Sequence, residues 1–394
     1  MIAAHLPIQR PQQAKLLVID ARGDITHVPR IRFVDFLRNG DLVVANDAAT
    51  LPASLQGAHL PSGLPVEVRL ASRRSLTSDD VRHFSAVVFG DGDFRTRTED
   101  RPPPPQLKAG DQFALGPLLA TVNSVLGHPR LVELSFQGGV DEIWAGLAKH
   151  GRPIQYAHVA MPLALWDVWT PIAGPPVAFE SPSAGFVLDW RTLLAMRASG
   201  VSVATVTHAA GISSTGDEEL DRHLPFDEPY YISSATACAI LRSRARCGRI
   251  VAIGTTVVRA LEHAADPTGR VHAGYGLATQ RINAASRLCV VDAILSGTHE
   301  PGTSHYELLR AFTDDETLSR ASAELNAAGY RTHEFGDSVL VERKKRVASL
   351  LFIAGSELPG AYGRRQLPWC PREIVAVAGE ACPFASSCGP AHVS

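Results

Sequence analysis

The sequence has no excess charge of either sign: 38 Lys and Arg face 40 Asp and Glu among 394 residues, a formal net charge of -2. That argues against a chain held on nucleic acid by global charge alone. A local basic patch stays open, and most of the cations are Arg, which suits phosphate better than Lys does. No apolar run approaches the roughly 20 residues of a membrane span, so no membrane partner is expected. Met1 to Lys15 lacks the apolar core of a secretory signal, which makes the cytoplasm the expected location. Familiar site signatures are missing too. There is no Walker phosphate loop and no His-Glu-x-x-His zinc helix. Gly274-x-Gly276 lacks the third glycine of a dinucleotide turn, and Glu180 to Gly185 does not frame Ser183 as a nucleophile elbow. The six cysteines are scattered. Cys238, Cys247 and Cys289 read as ordinary core or surface thiols. Cys370, Cys382 and Cys388, with His392 as the nearest fourth candidate, fit no paired zinc spacing. No metal is expected.

What is present is an ordinary globular composition, 45% hydrophobic and 20% charged, long enough for two domains or for one carrying an insertion. Leu16 to Asp20 and Leu42 to Ala45 read as buried strands, with a helical turn or two at Phe33 to Arg38 between them. From residue 57 to 139 the character changes. Val66 to Leu70 alternates with period two, and short runs of the same kind follow at Ser85 to Phe89, Leu118 to Val125 and Leu131 to Phe136. Mixed α/β character then returns, with helices at Asp141 to His150, Asp189 to Ser199, Ser234 to Cys247, Thr256 to Ala264, Ser304 to Phe312 and Asp315 to Ala328. Strands are expected at Val201 to Thr207, Arg249 to Ile253 and Ser338 to Val341. Asp189 is an expected N-cap, and Ser304 with Glu307 reads as a capping box. The fold class is therefore α/β, a mixed α+β main domain (1–56 and 140–343) with an inserted small all-β barrel-like domain (57–139). Residues 344–394 read as an appendage.

Gly254-Thr255-Thr256 sits where a buried strand turns into a helix. Its free N–H groups and hydroxyls could hold an anion or a ribose, with Arg259 on the same helix. A plain helix cap with an Arg259–Glu262 surface ion pair is the alternative. Thr207-His208 ends a strand, where α/β sheets present ligand-binding groups. Asp221 to Tyr231 reads as a Pro-broken loop crowding His223, Asp227, Glu228 and Tyr230. His299 precedes a capped helix. Trp166 and Trp169 read as core packing rather than a stacking platform.

The order of segments is more specific than any one of them. Ala252 to Glu262, Ala-Ile-Gly-Thr-Thr-Val-Val-Arg-Ala-Leu-Glu, resembles the Val-Gly-Thr-Thr-x-Val-Arg-x-Leu-Glu signature of the S-adenosylmethionine:tRNA ribosyltransferase-isomerases of queuosine synthesis. Gly40 to Val44 with Asn46-Asp47 resembles their Gly-Asp-Leu-Leu-Val…Asn-Asp motif, and Pro182 to Gly185 their Pro-Thr-Ala-Gly. Val206-Thr207 with Gly211 is similar to Val-Thr-Leu-His-Val-Gly. His223, Glu228 and Tyr230 resemble part of His-x-x-His-x-Glu-x-Tyr. His299-x-Pro301 and Tyr330-Arg331 with Gly336-Asp337 resemble the later motifs. The likeness spans about residues 6 to 342, the β insertion included.

The resemblance implies transfer and isomerisation of the ribosyl moiety of S-adenosylmethionine (AdoMet, a co-substrate) onto the 7-aminomethyl-7-deazaguanine base of tRNA, giving epoxyqueuosine. It implies catalytic roles for Glu228, His223, Asp337 and His299. AdoMet would be bound by Gly254, Thr255, Thr256, Arg259, Ser183, Gly185 and Tyr230, and substrate by Asn46, Asp47 and His208. The chain departs from the pattern at several places. Two family arginines are Ala49 and Ser54, one histidine is Val187, and another is Phe226. The strand histidine falls on Ala209, with His208 one position early and so on the other strand face. Pro-Gly-Tyr is absent near Ala284 to Ser286. These losses leave a small-molecule acceptor, or a non-catalytic AdoMet- or nucleoside-binding homologue, as the alternatives to tRNA modification.

Overall fold

Leu42–Asn46, Ile250–Ile253 and Ala293–Gly297, three strands of the main sheet, are short apolar runs without charge, and runs of this kind suit burial on both sheet faces. In the computed structural model, which describes residues 1–344 apart from Ser214 and Gly216, the strand order is Gly274–Ala278, Glu228–Ile232, Ser202–His208, Leu42–Asn46, Ile250–Ile253, Ala293–Gly297, Ser338–Glu342, Lys15–Ile19, Ile25–Pro29. The four strands from Ser202–His208 to Ala293–Gly297 run parallel. One sheet face carries Leu42, Val44, Val206, Ala252 and Ile294, packed against Ile240, Val257, Val258, Leu308 and Leu318 from four helices. The other carries Val43, Ala45, Val251 and Leu295 under Phe33, Val187 and Met196.

The second structure is a closed six-stranded barrel, antiparallel throughout, with strands Ser54–His59, Pro65–Ser72, His83–Phe89, Gln112–Leu115, Leu118–Val125 and Leu131–Phe136. Closure removes the free edges that a small sheet would expose. The barrel starts earlier than residue 57 because Ser54–His59 pairs on both sides, with Pro65–Ser72 and Gln112–Leu115. The expected appendage lies, Lys344 excepted, outside the described residues, as do Cys370, Cys382, Cys388 and His392. Among the described residues no helix is long and apolar enough to cross a membrane.

Four details differ from the sequence reading. Residues 30–36 form a 3-10 helix, Arg30–Phe36. Glu228–Ile232 is not loop but an inner strand, paired on both sides. Pro229 is tolerated there although it donates no hydrogen bond, and its carbonyl accepts from Ala209 N–H at 3.0 Å. The helix at Ser304–Leu309 is capped by Thr303, whose hydroxyl accepts from Tyr306 N–H at 3.3 Å. Trp166 is 75% exposed and not core; Trp169, 39% exposed, donates its indole N–H to Thr50 O.

Candidate active site along the sheet edge

Parallel strands gather their C-terminal ends on one edge, where α/β sheets hold ligands. Here Asn46, His208, Ile253 and Gly297 close the four parallel strands. Glu228 opens an antiparallel neighbour at the same edge, because His208 pairs with Tyr230. Gly297 pairs with Ser338, which brings the 333–337 turn there as well. Asn46, His208, Glu228, Gly254 and His299, far apart in sequence, therefore come to one edge.

Strand parity decides which of them meet. His208 lies two residues beyond Val206, and Glu228 two before Tyr230, so all four face the helix Thr255–His263. From that helix Arg259 reaches back and donates from Nη1 to Glu228 Oε2, and from Nη2 to the carbonyls of Ala278 (2.9 Å) and Phe226 (3.2 Å). Arg259 is 6% exposed and Glu228 4%. The second carboxylate oxygen accepts from Gly211 N–H at 2.7 Å. A Cβ on Gly211 would lie 2.9 Å from Ala71 O and 3.3 Å from Glu228 Oε1, so only glycine lets the chain pass between barrel and carboxylate here. Arg259 is thus a buried counter-ion, not the partner of Glu262. Glu262 instead accepts backbone N–H groups from Cys289, Val290 and Val291.

His208 is fully buried, with Nε2 3.4 Å from Glu228 Oε2 but no hydrogen-bonding geometry at either ring nitrogen. Burial and then the charge of Arg259 hold its imidazole well below the usual histidine range, so it is neutral near pH 7. Burial pushes the Glu228 carboxyl up, and Arg259 opposes that push. His305 belongs to the same group: burial, then Arg259, lowers it to about 4. Its ring stacks on His299 at 4.5 Å. His299 is half-buried, meets Ser296 Oγ through Nε2 at 3.0 Å, and is held well down by burial and by His305.

The strand-to-helix turn stands above this charge cluster. Gly254 has φ 93°, left-handed backbone that favours glycine, and a Cβ there would touch Ala184 at 3.5 Å. The Ser183–Val187 turn therefore packs directly on the helix N-terminus. Thr255 is 9% exposed, while Thr256 and Ser183 are half-buried; Gly185 is buried against Thr170.

Other expected residues sit elsewhere or do structural work. His223 is exposed in the turn after the Glu218–Asp221 helix, away from the buried cluster. Asp337 is 7% exposed, and its two oxygens accept from Lys15 N–H (2.7 Å) and Arg331 N–H (2.8 Å). Tyr230 lies across Gly276 and shares a 2.9 Å hydrogen bond with His263 Nδ1. Asn46 clamps two chain segments, accepting from His208 N–H and Ala48 N–H and donating to His208 O. Asp47 accepts from Thr207 Oγ1 at 2.7 Å. Ala49 is buried, and the Ser54 hydroxyl donates to Glu67 at 2.8 Å, beside Arg69 and Arg101.

Sequence reading missed a second group, because its members come from three distant segments with no motif. Tyr156 donates its hydroxyl to Glu180, and both line a pocket with His158 and Glu334. Burial lifts the Glu180 carboxyl to about 7 although hydrogen bonds from Tyr156 and Ser213 oppose it. Burial also raises Tyr156, with Glu180 adding to the shift. At Glu334 burial is outweighed by the hydrogen bond and charge of His158, so it stays below the usual carboxylate value.

The sequence model of the family described as queuosine biosynthesis protein matches residues 1–341. The S-adenosylmethionine:tRNA ribosyltransferase-isomerase of Sorangium cellulosum is 33% identical over 366 residues, 86% of this chain and 95% of the relative. The protein of the same name from Methylobacterium radiotolerans is 32% identical, covering 78% of this chain and 84% of its own. A solved structure, the S-adenosylmethionine tRNA ribosyltransferase of Thermotoga maritima, matches with a TM-score of 0.45 at 22% identity over 86% of this chain and 96% of that one. From the family match and the Sorangium relative it follows that this chain belongs to the queuosine biosynthesis protein family.

Proposed function

We propose that this protein transfers and isomerises the ribosyl moiety of AdoMet onto the 7-aminomethyl-7-deazaguanine base of tRNA, giving epoxyqueuosine, and that it does so in the cytoplasm. The observation that carries the reading is kinship at 33% identity, over 86% of this chain and 95% of the relative, with a protein named S-adenosylmethionine:tRNA ribosyltransferase-isomerase. The sheet edge suits that chemistry. Backbone N–H groups at the start of the Thr255–His263 helix, the Thr256 hydroxyl and the adjoining Ser183 turn form one wall for the ribose or carboxylate of AdoMet. The Arg259–Glu228 pair, buried behind the wall, fixes the helix to the sheet.

The sulfonium acidifies the neighbouring ribose 5′ C–H, so a modest base suffices to start the reaction. His299 is the group assigned here: it lies just past a strand end at the sheet edge, half-buried, with its Nε2 3.0 Å from Ser296 Oγ. The acceptor amine forms a new bond to the ribosyl carbon skeleton, while adenine and methionine leave. Asp337 has both oxygens engaged by backbone and is assigned to support, as is Tyr230.

Incubation with AdoMet and wobble-unmodified tRNA tests the reading through adenine release. His299→Gln should slow turnover by about 10²- to 10⁴-fold, the range for loss of a general base, with AdoMet affinity retained. Turnover equal to the unsubstituted protein would remove His299 from this role.

A further inference from the structure

His158, His333 and Glu334 bring one ligand atom each to within 4.8 Å of one another. His158 comes from the segment after the Val140–His150 helix. His333 and Glu334 come from the turn before the last strand. The His158 Nε2 to Glu334 Oε2 separation is 3.2 Å. Two ligands held at about 2.0–2.1 Å by a tetrahedral metal stand roughly 3.3 Å apart, so this pair already has the spacing of a shared ion. The His333 ring stacks on His158 at 4.2 Å with an interplanar angle of 23°. Stacked rings cannot both point their lone pairs at one ion, so His333 must turn about its Cβ–Cγ bond. It is exposed. His158 and Glu334 also line the pocket that holds Glu180.

We infer that His158, His333 and Glu334 form a binding site for a divalent first-row transition metal at the mouth of this pocket. Two imidazoles and a carboxylate suit Zn²⁺ or Co²⁺ better than Mg²⁺ or Ca²⁺, which favour all-oxygen sets. The ion replaces the proton that His158 and Glu334 share, which is released to solvent on binding. It ties the two segments together, and three protein ligands leave a coordination position open toward the pocket. This site goes beyond the proposed function and departs from the expectation of a metal-free protein.

The test is titration of the full chain with Zn²⁺ alone, and separately with Co²⁺, after alkylating the thiols so that the cysteines cannot compete. One equivalent should bind at micromolar affinity or tighter, with Co²⁺ d–d absorption and no thiolate charge-transfer band. His333→Ala and Glu334→Gln should each weaken binding by about tenfold or more, at least the loss seen when a supporting group of a metal site is removed. His333 is exposed, so its substitution leaves the fold intact, and circular dichroism checks this for both variants. Absence of stoichiometric binding, or an affinity in both variants equal to that of the unsubstituted protein, overturns the proposal and leaves a His–Glu hydrogen bond joining two segments.

Discussion

Arg259 and Glu228 form a charge pair that water barely reaches, and each depends on the other for neutralisation. Removing one partner of such a pair strands a buried charge, which costs about 3–5 kcal/mol, whereas replacing both with apolar residues of similar volume is close to neutral. Arg259→Met should therefore destabilise the protein by that amount in urea unfolding, and Arg259→Met with Glu228→Leu should recover most of it. Equal destabilisation by the single and double variants would mean that the pair is not what the helix depends on. Three neutral histidines around this pair add a dependence on pH. His208, His299 and His305 are all held below their ordinary value by burial. Each therefore binds more protons unfolded than folded. Its folded-state contribution is intact above about pH 6.5 and is lost as pH falls from there toward the folded value, about 4 for His305. His305→Gln should thus lose less stability than the unsubstituted protein between about pH 7 and pH 5. An identical drop in both would contradict the lowered value.

At the scale of elements, the Gly254 turn decides whether the helix N-terminus faces a ligand. Its φ of 93° is strained for any residue with a Cβ. Gly254→Ala should cost about 1–3 kcal/mol and raise the KM for AdoMet, and an unchanged KM would detach this turn from the site. Asp337 makes the opposite case. Asp337→Asn should lower thermal stability, because a charged acceptor for two backbone N–H groups is lost, by about 1–3 kcal/mol. Turnover per folded molecule should persist; its loss would return Asp337 to the chemistry.

The same elements show what was legible in the sequence. The turn at Gly254, the Asp189 cap (2.7 Å to Thr192 N–H) and most barrel strands carry local signals, a glycine, a capping side chain and alternation, that act within a few residues. Glu228–Ile232 was illegible because Pro229 and two acids mimic a loop, while its strand identity comes from pairing with segments 20 and more residues away. Arg259 read as an AdoMet-binding residue, with a surface ion pair to Glu262 as the alternative, because nothing local reveals that a distant carboxylate lies under its helix. His158, Glu180 and Glu334 are joined only by the fold.

For the whole molecule, the near-neutral charge means that the proposed tRNA substrate would have to be met by local Arg groups rather than by overall attraction. Ala49 is buried, and the arginines beside Ser54, Arg69 and Arg101, are buried against Glu67 and so are not free for phosphate. Affinity for tRNA should fall steeply with salt, since log K declines linearly with log salt as phosphate contacts are made. A flat salt response in a filter-binding assay would point to an acceptor that is not a polyanion.

The account turns on where the ribosyl group goes. AdoMet labelled in its ribose, incubated with tRNA bearing 7-aminomethyl-7-deazaguanine, should leave label in the tRNA and release adenine and methionine in equal amounts. Label that never leaves AdoMet, or that leaves it equally well without tRNA, would contradict the assignment of this protein as a tRNA ribosyltransferase-isomerase.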